Sequence, residues 1–210
     1  MRNAVAATAI TFASGAAAEP VTVAALGDSL TQGYGLPPGD GLVPQLQAWL
    51  TARGADAVLV NAGVSGDTTA GGLARLDWTL TPEVDALIVN LGGNDMLRGI
   101  DPAVSRANLD AILDTAAARG LPVLLVSLRA PGNYGAAYKT AFDAMYPGLA
   151  AEHGALLAEN FFLPLIDQST RRLDPALMQA DGIHPNAAGV ARVVEGLGPL
   201  VLDLIARSGS

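Results

Sequence analysis

The sequence predicts an α/β protein, a three-layer α/β/α sandwich with helices on both faces of a central parallel sheet of about five strands. Three observations carry that expectation. From Val21 onward, short apolar runs alternate with longer amphipathic stretches, as in successive βαβ units. The apolar runs show little polar alternation, as expected of parallel strands covered on both faces. Glycines stand where the amphipathic stretches should stop.

Residues 21–26 form the first apolar run, and residues 42–53 a helix that Gly54 ends. Residues 58–61 supply the second strand and 68–76 the second helix. The third strand is expected over 86–91. It is followed by a helix over 102–119 that opens on Asp101-Pro102 and stops at Gly120. An Asp cap followed by proline at the first helical position is a strong start signal. Residues 123–128 read as the fourth strand, 135–153 as a helix closed by Gly154, and 156–157 with their neighbours as the fifth strand. A last helix over 187–206 completes the pattern, and right-handed crossovers then place helices on both sides of the sheet.

Composition narrows the function. At 210 residues one domain is expected, covering residues 19–207, with 208–210 as a tail. Twelve basic residues against 20 acidic ones give a net charge of −8, and there is no Lys/Arg run to build a nucleic-acid groove. There is no cysteine, so disulfides, thiolate metal sites and thiol catalysis are excluded. The only histidines are His153 and His184, so a multi-histidine metal centre is not expected, nor is a cofactor. Half of the residues are hydrophobic, but 39 of them are alanine, which argues against stable membrane insertion. Residues 1–18 carry Arg2, a mostly apolar stretch from Ala4 to Ala13, and Ala16-Ala17-Ala18. This is the plan of a secretory signal peptide. Its cleavage would leave 11 basic and 20 acidic residues, a charge of −9, on a periplasmic or secreted protein.

Reactive groups in such sheets sit in loops at the carboxyl ends of the strands. Four loops stand out: Gly27-Asp28-Ser29-Leu30-Thr31, residues 61–67 around Gly66, Gly92-Gly93-Asn94-Asp95, and Asp181-Gly182-Ile183-His184-Pro185. A serine hydroxyl needs a base to become a nucleophile. Ser29 follows an apolar strand and a glycine, which allows a sharp turn that presents its side chain. The plain alternative is that Ser29 only caps the helix after it. His184 is the natural base, and Asp181, three residues earlier, is close enough to fix its tautomer. Pro185 keeps His184 out of a helical backbone. The plain alternative here is a helix-capping aspartate beside a surface histidine. His153 stands at a helix end, where the macrodipole favours it, and reads as structural. Asp28 and Asp95 read as loop-bracing carboxylates.

Gly-Asp-Ser-Leu after the first strand, Gly66 and Asn94 in the next two loops, and Asp-x-x-His near the end resemble the GDSL (SGNH) hydrolases. The stretches 26–33, 61–76, 91–99 and 181–186 are most similar to the bacterial arylesterase and acyl-CoA thioesterase branch, which also shows lysophospholipase activity. The resemblance implies a flavodoxin-like SGNH hydrolase fold and a serine hydrolase with Ser29, His184 and Asp181 as its triad. It also implies an oxyanion hole made by the backbone N–H groups of Ser29 and Gly66 and the side chain of Asn94. A glycine at 66 lets backbone approach the substrate, and a neutral amide at 94 can donate without acting as an acid. In that branch the segment matching Met96 to Ile100 covers the acyl chain, which makes Met96, Leu97 and Ile100 candidate substrate contacts. The alternative is that these three pack on the core.

A small-molecule ester or thioester is the expected substrate, and a monomer the favoured state. Two other readings compete. A carbohydrate acetylesterase would favour aromatic platforms, and aromatics are only 5% of the chain. A non-catalytic phosphate-binding module would call for a Walker lysine or a G-x-G-x-x-G after the first strand, and neither is present.

Overall fold

A computed structural model describes residues 19–208, so the expected signal segment and residues 209–210 lie outside the described residues. The apolar runs form five parallel strands: β1 (Val21–Gly27), β2 (Ala57–Gly63), β3 (Ala86–Asn90), β4 (Val123–Val126) and β5 (Leu156–Ala158). Their order, β2-β1-β3-β4-β5, is that of flavodoxin-like sheets, with the topological switch at the carboxyl end of β1.

The helices in chain order are α1 (Ser29–Gln32), α2 (Leu42–Thr51), α3 (Thr69–Ala74), α4 (Leu76–Thr79), α5 (Gly93–Leu97), α6 (Pro102–Ala118), α7 (Ala136–His153) and α8 (Ala187–Ser208). α2 packs on α8, whereas α6 packs on both α3 and α7, which covers the two faces of the sheet. The core between these layers includes Val23, Leu26, Leu87, Val89, Leu124, Leu125, Ile112 and Leu204, each fully buried or nearly so. A two-stranded antiparallel ribbon, β6 (Ile166–Asp167) with β7 (Arg172–Leu173), lies apart from this sheet. No helix among the described residues is long and apolar enough to cross a membrane.

The start and stop signals act as the chemistry predicts. Asp101 accepts a hydrogen bond from the N–H of Ala103, with Pro102 at the first helical position. Gly154 ends α7 in a left-handed conformation.

Several elements differ from expectation. β2 is not covered on both faces: Val58 and Val60 are 46% and 43% exposed, because β2 is an edge strand. Its open edge is satisfied instead by Gln47, whose side chain accepts from Leu59 N–H at 2.8 Å and donates to Ala57 C=O at 3.0 Å. This amide occupies backbone groups that an exposed edge would offer to another strand. The helix expected over 68–76 breaks into α3 and α4 at Arg75, whose side chain is held by Asp67 and Gly27 C=O. α5 was not expected and α1 entered only through the capping alternative for Ser29, since four or five residues are too few to show a period. α8 runs to Ser208, one residue into the expected tail.

Candidate active site

β1 ends at Gly27, wedged between its two neighbouring strands. A Cβ there would strike the Thr31 side chain and Asn90 C=O, so only glycine permits the turn that follows. Asp28 then caps α1 by accepting from Leu30 N–H at 3.0 Å. Ser29 is therefore the first residue of α1, and Asp28 holds the capping role that had been the plain alternative for Ser29.

The second part of the site is a loop leading into α8. Asp181 braces it by accepting from the N–H groups of Ile183 and His184 on one oxygen, at 2.9 and 3.0 Å. The other oxygen lies 2.6 Å from His184 Nδ1. Main-chain pairing of Met178 with Pro185 and a 2.7 Å bond from Gln179 N–H to His184 C=O hold the loop against the body. Capping at the start of α8 falls to Asn186, which accepts from Gly189 N–H, so Asp181 is not the helix cap.

These two segments meet although Ser29 and His184 are 155 residues apart: His184 Nε2 lies 2.9 Å from Ser29 Oγ. With Nδ1–H directed at Asp181, Nε2 carries the lone pair and can accept a hydrogen bond from the serine hydroxyl. The imidazole packs against the Tyr34 ring at a centroid distance of 4.9 Å. Hydrogen bonds from the backbone N–H of His184, its imidazole and the N–H of Ile183 hold the Asp181 carboxyl down to about 2. It therefore remains ionised opposite the ring at any working pH.

Gly66 and Asn94 come to the same place. Gly66 has φ +84°, a left-handed conformation natural to glycine. The Asn94 amide donates to Asp67 C=O at 2.9 Å and to Asp28 Oδ2 at 3.3 Å. The longer of these bonds is the weaker. Asp28 is only 2% exposed. Burial pushes its carboxyl up to about 6, opposed by the Leu30 N–H, the His184 charge and the Asn94 amide. Asp95 is buried as well and accepts from Thr69 N–H, Thr69 Oγ1 and Ser105 Oγ. Both aspartates brace loops, as expected.

A cleft of about 270 Å³ opens beside Ser29 and His184. Gly66, Asn94, Met96 and Leu97 line it, whereas Ile100 is not among its lining residues; its N–H bonds back to Asp95 C=O. Met96 and Leu97 stand on the last turn of α5 and not on a loop. The apolar wall also contains Leu30, Leu128, Phe162 and Ile183, which sequence reasoning did not single out. Leu30 and Ile183 are embedded in motifs already noticed. Leu128 and Phe162 follow β4 and β5, whose loops also open at the carboxyl edge of the sheet but match none of the four loops singled out.

His153 is elsewhere. It ends α7 and lies 2.7 Å from Asp110 on α6. Asp110, Glu152 and His153 form a group whose ligand-type atoms lie within 4.8 Å of one another. Both Glu152 oxygens already accept from Arg106, at 2.6 and 2.5 Å, and none of these residues lines the cleft.

Comparison with known proteins shows the family. The GDSL-like lipase/acylhydrolase family is matched over residues 25–192, most of the chain. The chain belongs to that family. As an acylhydrolase of this family it is a carboxylic ester hydrolase. It is similar to the protein named esterase TesA of Pseudomonas aeruginosa, with 42% identity over 185 residues, covering 88% of this chain and 89% of that one. It is also similar to thioesterase 1/protease 1/lysophospholipase L1 of Escherichia coli K12, at 40% identity, 81% of this chain and 78% of that one. Among solved structures, AlinE4, described as an SGNH-hydrolase family esterase, is 41% identical with a TM-score of 0.73. That alignment covers 90% of this chain and 98% of AlinE4.

Proposed function

We propose that this acylhydrolase cleaves aryl and short-to-medium acyl esters, and the corresponding thioesters, through an acyl-enzyme on Ser29. The observation that carries the reading is the chain Ser29 Oγ, His184, Asp181, with contacts of 2.9 and 2.6 Å, at the edge of an apolar cleft. Ser29 Oγ attacks the ester carbonyl carbon as its proton passes to His184 Nε2. The imidazolium that forms is stabilised by Asp181. The carbonyl oxygen becomes an oxyanion that accepts from the N–H of Ser29, the N–H of Gly66 and the Asn94 amide. Collapse expels the alcohol or thiol, which takes the proton from His184. Water then repeats the sequence on the acyl-serine, releasing the acid and restoring Ser29.

The substrate class follows from the walls. A cleft of about 270 Å³ is at the small end for ligand sites. Each methylene that Met96, Leu97, Leu128 or Phe162 takes from water contributes up to ~0.8 kcal/mol until the groove is full. An apolar wall favours acyl chains and aryl groups over acetylated sugars. A fluorophosphonate probe provides the test: it should label the native protein stoichiometrically, with the adduct on Ser29. An adduct on any other residue, or none, overturns the assignment.

The N-terminal pattern supports export to the periplasm or beyond, with a mature chain, residues 19 onward, folding as one domain. Mass spectrometry of protein expressed with its native N-terminus should find Glu19 first. An intact Met1 refutes export by cleavage.

A further inference from the structure

The proposed oxyanion donors Gly66 and Asn94 are carried by different strands. The Gly66 loop follows β2 and α5 follows β3, and these strands are not neighbours, because β1 lies between them. Strands spaced by ~4.8 Å put the ends of β2 and β3 roughly 10 Å apart. The sheet ladder therefore does not itself set the gap between the two donors.

Side chains do. Three residues of one segment bond to three of the other. At the rim, Arg98 Nη2 donates to Gly66 C=O at 2.8 Å. One turn inward, the Asn94 amide donates to Asp67 C=O at 2.9 Å. In the core, Asp95 accepts from Thr69 N–H at 2.8 Å and from Thr69 Oγ1 at 2.5 Å. Ser105 Oγ and Asn108 Nδ2 complete this inner knot by donating to Asp95 and to Thr69 Oγ1. Asp95, Thr69 and Ser105 are each no more than 1% exposed, so the inner stitch is shielded from water.

We propose that Asp95 and Arg98 are positioning residues for the oxyanion hole, which join the segment 66–69 to α5 and hold the Gly66 N–H and the Asn94 amide at the spacing the reaction needs. The proposal rests on the assignment of Gly66 and Asn94 as oxyanion donors. Asp95 gives the join its rigidity, since a buried carboxylate with three donors has no competing partner in water. Arg98 is exposed, and its bond to the Gly66 carbonyl restrains the peptide directly after the donor.

The test compares Arg98→Ala, Arg98→Lys, Asp95→Asn and Asn94→Ala by kcat, KM and thermal midpoint. Active sites are counted by fluorophosphonate titration carried to its end point. A trifluoromethyl ketone, whose adduct carries the oxyanion, is compared with the corresponding alcohol as inhibitors. Asn94→Ala should lower kcat by about 10²–10³-fold. Asp95→Asn should lower kcat per titrated site by roughly 10²-fold, the scale of a misplaced catalytic group. Arg98→Ala should lose about tenfold, partly restored in Arg98→Lys, with KM little changed and the loss matched by weaker ketone but not alcohol binding. If Asn94→Ala loses these activities while Asp95→Asn and Arg98→Ala stay within twofold of wild type per site, or lose only in KM, the positioning role is wrong. If Asn94→Ala itself retains kcat, the oxyanion assignment fails first. Should Asp95→Asn not fold, the exposed Arg98 series decides alone.

Discussion

The molecule contains two histidine–aspartate pairs of almost equal length, and only one of them meets a serine. His184 lies 2.6 Å from Asp181 and His153 lies 2.7 Å from Asp110. At His184 the second ring nitrogen faces Ser29 Oγ at 2.9 Å on the wall of an apolar cleft. At His153 the second nitrogen faces another carboxylate, Asp114, at 3.8 Å. The first pair is local to a four-residue loop that turns the ring toward Ser29. The second joins the end of α7 to α6. An imidazole oriented by a carboxylate is thus equally useful as a helix tie or as a base, and the group on its other nitrogen decides which.

The sharpest way to break this contrast is to remove each histidine in turn. His184→Asn should lower kcat by on the order of 10⁶-fold, as should Ser29→Ala. His153→Asn should leave kcat within twofold while lowering the thermal midpoint. Activity per correctly folded molecule is the measurement, and an inactive but folded His153→Asn would reverse the assignment.

Asp181→Asn is expected next, at about 10⁴-fold in kcat, because the amide offers Nδ1 a donor and so favours the wrong tautomer. Asp110→Asn, the matching change at the other pair, should leave kcat unaffected. Similar losses from the two would erase the distinction between the pairs.

A smaller effect separates the buried acid of the site from the exposed one. Asp181 is held down to about 2 by hydrogen bonds, whereas Asp28 is pushed up to about 6 by burial. A carboxyl raised in the fold stabilises it fully below its unfolded value and loses that contribution as pH rises through about 6. The difference from an ordinary carboxyl corresponds to on the order of 3 kcal/mol. Urea unfolding at pH 4 and pH 7 should therefore show wild type losing stability relative to Asp28→Asn across that interval. A pH-independent difference would mean that Asp28 titrates as an ordinary carboxyl.

The least effect belongs to the acyl wall. Leu97→Ala should flatten the preference for longer acyl chains by up to ~0.8 kcal/mol per methylene and spare kcat on acetate esters. Ile100→Ala, off the cleft, should leave the profile as it was. A p-nitrophenyl ester series measures both, and a profile altered only by Ile100→Ala would shift the acyl site away from α5.

Much of this architecture is legible in the sequence. The apolar runs marked all five sheet strands because burying them is what makes a sheet, and Asp101-Pro102 marked the start of α6 through local backbone chemistry. The proposed triad was legible for the same reason: Asp181 and His184 are three residues apart, and a serine after a strand and a glycine is conspicuous. Leu128, which read as the end of the fourth strand, and Phe162 were not legible, since an apolar residue looks the same whether it faces a cleft or the core. Nor was Arg75, which bridges Asp67 and Gly27 C=O from a position that looked like helix interior.

The sequence by itself determined the elements, their caps and the residue types able to do chemistry, because these depend on interactions within a few residues of one another. Only the tertiary structure decided which of those residues meet. The order β2-β1-β3 places the Gly66 loop and α5 on either side of Ser29, and the loop before α8 brings His184 across 155 residues to the same hydroxyl. Such contacts are set by how whole faces are buried against each other, a free energy summed over the core and written in no single stretch of chain.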